Sequence, residues 1–201
     1  MILLFTGGSA SGKSALAERA CVHAGGHLLY IATMKPFGEE GRARVRKHRA
    51  QRAGKGFHTV ECYSWLREQL QAGAFDDATV LLECLGNLVA NVTFGDGGQA
   101  GDRRWRDEAA ARLESELDEL ASRSAHLVVV GNEVGSDGVR YETDTQAYQD
   151  LIGRVSRTLA ARSDLVVESA AGAPIIVKRA QGRQHDGALS DLIDSIRGEV
   201  R

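Results

Sequence analysis

Short apolar runs rich in Val, Ile and Leu recur along the chain: "MILLFTG" (1–7), "HLLYIAT" (27–33), "FHTVEC" (57–62), "TVLLECLG" (79–86), "HLVVVGNEV" (126–134), "DLVVES" (164–169) and "PIIVKR" (174–179). Several are nearly continuous in branched aliphatics rather than alternating with polar residues, the pattern of strands covered on both faces. Between them, "GKSALAERACVHA", Arg42–Arg52, 102–124 and 143–163 have helical composition and charge spacing. The 102–124 segment carries the Glu/Arg pairs that support an exposed helix face. Strands alternating with helices predict an α/β fold with a mostly parallel sheet flanked by helices. Turn-rich "GDGGQAGD" (95–102) and "GSDG" (135–138) predict loops. From about Ala180 the pattern changes to "QGRQHDG" and a short amphipathic "ALSDLIDSIRGEV". The expected organisation is one nucleotide-binding α/β domain over 1–180 and a C-terminal extension over 181–201.

Composition narrows the function classes. The chain has 201 residues, a formal net charge of −2 and 26% charged residues. That balance argues against a nucleic-acid-binding domain, which carries a clear positive excess. Cys21, Cys62 and Cys84 are far apart and form no C-x-x-C pair, so neither a zinc site nor a disulfide framework is expected, and a cytoplasmic setting is the simplest. The apolar start runs directly into glycines and is too short for a signal-peptide core or a membrane span.

The first apolar run ends in "GGSASGKS", Gly7, Gly8, Ser9, Ala10, Ser11, Gly12, Lys13 and Ser14, and a helical segment follows. This is G-x-x-x-x-G-K-[ST] in its strand–loop–helix context. Its glycines let backbone N–H groups turn in around phosphate oxygens, and the helix N-terminus adds its positive dipole end. Lys13 is placed to reach β- and γ-phosphates, and Ser14 to bind Mg²⁺. The expected ligand is a nucleoside triphosphate with magnesium. Such a site wants an acid at the end of another strand; Glu83 and Glu133 both qualify, and Glu83 is favoured for the metal because it follows the stronger apolar run.

"RARVRKHRAQR" (42–52) is the most basic stretch. By charge alone it has three readings: a solvated helix face, a nucleic-acid contact, or a nucleotide-handling segment in which arginines hold phosphates and His48 acts as base or nucleophile. In the third, Lys47 and Arg49 would disfavour the imidazolium and leave a neutral nitrogen able to attack phosphorus.

Taken in order, "GG-x-x-SGKS", "YIAT", "R-x-R-x-x-x-H-R-x-x-R", "VEC", "LLECL" and "GNEVG" resemble the bifunctional adenosylcobinamide kinase / adenosylcobinamide-phosphate guanylyltransferase family of cobalamin biosynthesis, over about residues 1–179. The resemblance implies a P-loop NTPase-like (RecA-like) fold, a homotrimer, and two reactions. ATP or GTP phosphorylates the aminopropanol hydroxyl of adenosylcobinamide. GTP then guanylylates a histidine, which passes GMP to adenosylcobinamide phosphate. By position, the resemblance puts the guanylylated histidine on His48 and the nucleotide contacts on Gly7–Ser14, on Ile31, Ala32 and Thr33, on Arg49, Ala50, Gln51 and Arg52, and on Glu61 and Glu83. It implies Lys13 as the catalytic lysine, Ser14 and Glu83 as magnesium ligands, and Glu133 on the cobinamide or metal side.

The chain departs from the family pattern at Ala10, where arginine is common. It departs again after "NEVG", where Asp150, Gly153 and Arg154 persist but the aromatic is Tyr148 and the preceding arginine is missing. Two other readings use the same residues: a P-loop kinase of another small hydroxyl substrate with a structural His48, and an NTPase stimulated by nucleic acid through Arg42–Arg52.

Overall fold

The computed structural model describes residues 1–69, 73–95, 101–134, 141–181 and 186–198, without the side chains of Glu40, Arg44, Gln51, Gln69 and Asp186. The turn expected over 135–138, most of the 95–102 loop and the Gln51 side chain lie outside the described residues. The chain runs β1 (Ile2–Thr6), α1 (Lys13–Ala24), β2 (Leu28–Ala32), α2 (Gly38–Arg52), β3 (His58–Glu61), α3 (Leu66–Gln69), β4 (Thr79–Glu83), α4 (Leu85–Phe94), α5 (Arg103–Arg123), β5 (His126–Val130), α6 (Thr143–Arg162), β6 (Leu165–Ala170), β7 (Ala173–Arg179) and α7 (Asp186–Arg197). The seven strands form one sheet in the order β3-β2-β4-β5-β1-β6-β7. All neighbours are parallel except β7, which returns antiparallel to β6.

The apolar runs of β1, β2, β4, β5 and β6 have little polar alternation because both faces of the sheet are covered there, whereas the edge strands β3 and β7 are largely exposed or half-buried. Residues of one parity, including Leu4, Leu29, Ile31, Val80, Leu82, Leu127 and Val129, pack with α4, α5 and α6. Those of the other parity, including Leu3, Phe5, Tyr30, Leu81, Val128 and Val130, pack with α1 and α7. Glu83 lies two residues beyond Leu81 and so points to the α1 face. The segment after Ala180 ends in α7, whose Leu189, Leu192, Ile193 and Ile196 are buried in this second cluster. No described helix is long and apolar enough to cross a membrane.

β4, with the candidate acid, and β1, with the phosphate-loop sequence, are separated by β5. The sheet is that of a P-loop NTPase-like α/β fold.

Candidate active site

The Gly7–Ser14 segment connects β1 to α1 at the carboxyl edge of the sheet. Gly7 has φ 141° and Gly12 φ 93°, in the region that glycine tolerates. A Cβ on Gly7 would lie 2.6 Å from the Ser169 carbonyl oxygen. The loop is pinned from the β6–β7 turn: the Ser11 carbonyl accepts from the Gly172 N–H at 2.7 Å and from the Ser169 hydroxyl at 2.6 Å. Gly8 is open on its outer side, and Ser9 and Ala10 are exposed, so the cradle faces solvent. Lys13 is buried, its Nζ donating to the Gly8 carbonyl at 2.9 Å across the mouth of the loop.

Ser14, in the first turn of α1, donates from its hydroxyl to Glu83 Oε1 at 2.7 Å. Glu83 is buried at the end of β4, and its Oε2 has no hydrogen-bond partner among the described residues. A buried carboxylate oxygen left unpaired costs free energy unless a ligand meets it. Ser14 and Glu83 thus offer adjacent hard oxygen donors, the type that would suit magnesium. No group of three or more His, Cys, Asp or Glu among the described residues forms a metal cage of its own. Glu133, the other candidate acid, stands exposed just beyond β5.

His48 comes to the same carboxylate from α2. Its Nδ1 lies 3.7 Å from Glu83 Oε1, has no hydrogen-bond partner among the described residues and is buried, while the side chain as a whole is half-buried. The other basic residues of α2 divide by position. Arg42 and Arg46 both pair at 3.0 Å with the exposed Glu39, as a solvated helix face does. Arg49 pairs with Glu61 of β3. Arg52 is buried, its guanidinium carbon 3.4 Å above the Tyr30 ring centroid. Arg49, Arg52, Phe57, Thr59 and Glu61 border a cleft of about 690 Å³. Ala50 is exposed.

The Ile31–Thr33 segment is arranged differently. Ile31 is fully buried in the core, and Ala32 packs beneath the α1 face. The Thr33 hydroxyl donates to the Cys84 carbonyl at 2.8 Å and accepts from the Cys84 N–H at 2.7 Å, and the Thr33 N–H donates to the Glu83 carbonyl at 3.0 Å. Asn91 of α4 donates to the Thr33 carbonyl at 2.8 Å. The Thr33 side chain is therefore engaged in holding the backbone that carries Glu83. Thr33→Val keeps the shape but strands two buried backbone groups of Cys84. Stability should fall by about 2 kcal/mol, read as a melting temperature lower by roughly 4–8 °C. An unchanged melting temperature would count against the brace.

Burial, reinforced by the Glu83 carboxylate, pushes the Tyr30 phenol up, so that it stays protonated beside the acid. Ser169 and Gly172 carry no local motif, and Tyr30, though it opens "YIAT", gives no local sign of Arg52; only the sheet order brings them to the loop and to α2. Past β4, Tyr148 of α6 donates to the Gly86 carbonyl at 3.3 Å and packs against Phe94 with ring centroids 5.8 Å apart.

Residues 3–177 match the family model for cobinamide kinase / cobinamide phosphate guanyltransferase. The chain is 33% identical over 183 residues to the bifunctional adenosylcobalamin biosynthesis protein CobU of Salmonella typhimurium, covering 89% of this chain and 100% of that protein. The identity and coverage are the same for CobU of Escherichia coli. The bifunctional adenosylcobalamin biosynthesis protein CobP of Pseudomonas aeruginosa is 34% identical over 176 residues, 87% of this chain and 96% of that protein. With a phosphate loop, an acid and a histidine meeting at one strand edge and a match across nearly the whole sheet, the chain belongs to the cobinamide kinase / cobinamide phosphate guanyltransferase family.

Proposed function

We propose that the protein phosphorylates the aminopropanol hydroxyl of adenosylcobinamide with ATP or GTP and then transfers GMP from GTP to adenosylcobinamide phosphate through a guanylyl group on His48. The observation that carries this reading is the convergence on Glu83: Ser14 of the phosphate loop at 2.7 Å and His48 Nδ1 at 3.7 Å from the same carboxylate oxygen. An imidazole beside the phosphate-loop acid is what a guanylyl-transfer step needs in addition to a kinase site.

In the first reaction the acceptor hydroxyl oxygen bonds to the γ-phosphorus, the bridging β–γ oxygen leaves with the nucleoside diphosphate, and the hydroxyl proton is released. Lys13, freed from the Gly8 carbonyl, neutralises charge that builds on the β–γ bridge. In the second, a ring nitrogen of His48 bonds to the α-phosphorus and pyrophosphate leaves. The phosphate oxygen of the acceptor then takes the guanylyl group and frees the histidine. Glu83 on the Nδ1 side favours the tautomer that carries its proton there, leaving the Nε2 lone pair for phosphorus. Ser14 and Glu83 would hold magnesium, which when bound would supply positive charge against the triphosphate. The cleft beside Arg49, Arg52 and Glu61 offers cations for phosphates and a carboxylate able to accept from the N–H edge of guanine.

Adenosylcobinamide incubated with the protein, magnesium and GTP should acquire label from both the γ- and the α-phosphate. Transfer from the γ-position only would reduce the protein to a kinase, and transfer from neither would overturn the reading. The three cysteines are buried and unpaired, in keeping with a cytoplasmic enzyme.

A further inference from the structure

Arg52 is buried, with 6% of its surface exposed, and it is unusual in how it is held. It makes no ion pair among the described residues, and its Nε and Nη1 are sealed without hydrogen-bond partners. A guanidinium in that condition has little to set its plane except what lies against its face. Here that is Tyr30, at 3.4 Å.

Tyr30 is itself immobile. It sits inside β2, paired with Thr59 of β3 and Leu81 of β4. It is 3% exposed, and Phe57 meets it edge-on at 6.3 Å with an interplanar angle of 80°. Phe57 and Thr59 also border the cleft that Arg52 lines. The ring is thus a rigid shelf, anchored in the sheet, beneath the one arginine of α2, among the described side chains, that reaches into the core.

We propose that Tyr30 is a positioning residue for the nucleotide: its ring holds the Arg52 guanidinium in a single plane at the wall of the cleft, ready for phosphate oxygens. The inference rests on the nucleotide role given to Arg52 above. Nε and Nη1 are sealed, which leaves the Nη2 edge for phosphate; a fixed plane decides where those N–H groups point, and a freely turning guanidinium must be ordered at each binding event.

The test uses the full chain and GTP affinity measured by calorimetry with magnesium, alongside thermal melting. Tyr30→Phe keeps the ring face and should bind GTP within about twofold of the native protein. Tyr30→Leu should bind about tenfold more weakly. On an Arg52→Ala background, Tyr30→Leu should add less than about twofold, since its effect passes through the missing guanidinium. Losses that multiply in the double variant, or a Tyr30→Phe as weak as Tyr30→Leu, overturn the proposal. Should Tyr30→Leu fail to fold, Arg52→Lys decides. It keeps the charge without the stacked plane and should bind as weakly as Arg52→Ala; native affinity in Arg52→Lys overturns the proposal. If Arg52→Ala itself binds GTP normally, the nucleotide assignment of Arg52 fails and takes this inference with it. A loss in Arg52→Ala that is uncoupled from Tyr30 sinks the inference alone.

Discussion

His48→Ala should leave a protein that phosphorylates adenosylcobinamide but no longer guanylylates it. Incubated with magnesium and GTP labelled at the α-phosphate, the native chain should acquire an acid-labile, alkali-stable label, the behaviour of a phosphorus–nitrogen bond. The variant should acquire none. Guanylyl transfer should fall by about 10³-fold or more, because removing a covalent nucleophile closes its route instead of slowing it. The kinase step should stay within a few-fold, since the loop, Lys13 and Ser14 make no hydrogen bond to the imidazole. A fully labelled His48→Ala protein would place the nucleophile elsewhere. Equal loss of both activities would instead make His48 a structural partner of Glu83, which it faces at 3.7 Å.

Lys13→Ala should abolish both activities together. The Nζ lies 2.9 Å from the Gly8 carbonyl, so the ammonium stands at the mouth of the loop, where triphosphate charge would be met. Losing one preorganised charge that strengthens in the transition state costs about two to three orders of magnitude in rate. Lys13→Arg should not rescue, because a planar fork does not fit the space of a compact ammonium. Steady-state assays of each half-reaction read the effect, and retention of either rate within tenfold would remove Lys13 from the chemistry. Thermal stability should hardly change, since the one hydrogen bond the side chain makes among the described residues is to a loop carbonyl that water can also satisfy.

The basic stretch shows where reading a sequence stops. Its charge supported three roles, and the helix uses two kinds of position for different purposes. Arg42 and Arg46 spend their charge on Glu39 at the surface, while His48, Arg49 and Arg52 turn toward Glu83, Glu61 and Tyr30. Helical spacing explains the division only once it is known which side of α2 meets the sheet. Both acids qualify as strand-end candidates, and only the stronger apolar run before it favours Glu83. Glu83 reaches Ser14 because its parity with Leu81 aims it at α1, whereas Glu133 lies past the end of β5.

The amino-acid sequence by itself determined the strand–helix alternation, the phosphate loop and the ordered set of motifs around His48. These are local matters: apolar runs, consecutive backbone dihedrals and side chains a few positions apart. Tertiary structure alone decided that Thr33 braces the Glu83 backbone, that Ser169 and Gly172 pin the loop, and that Tyr30 lies under Arg52. Those contacts join residues far apart in sequence through the order and register of neighbouring strands. That order is set by the packing of the whole sheet, which no short stretch of sequence records.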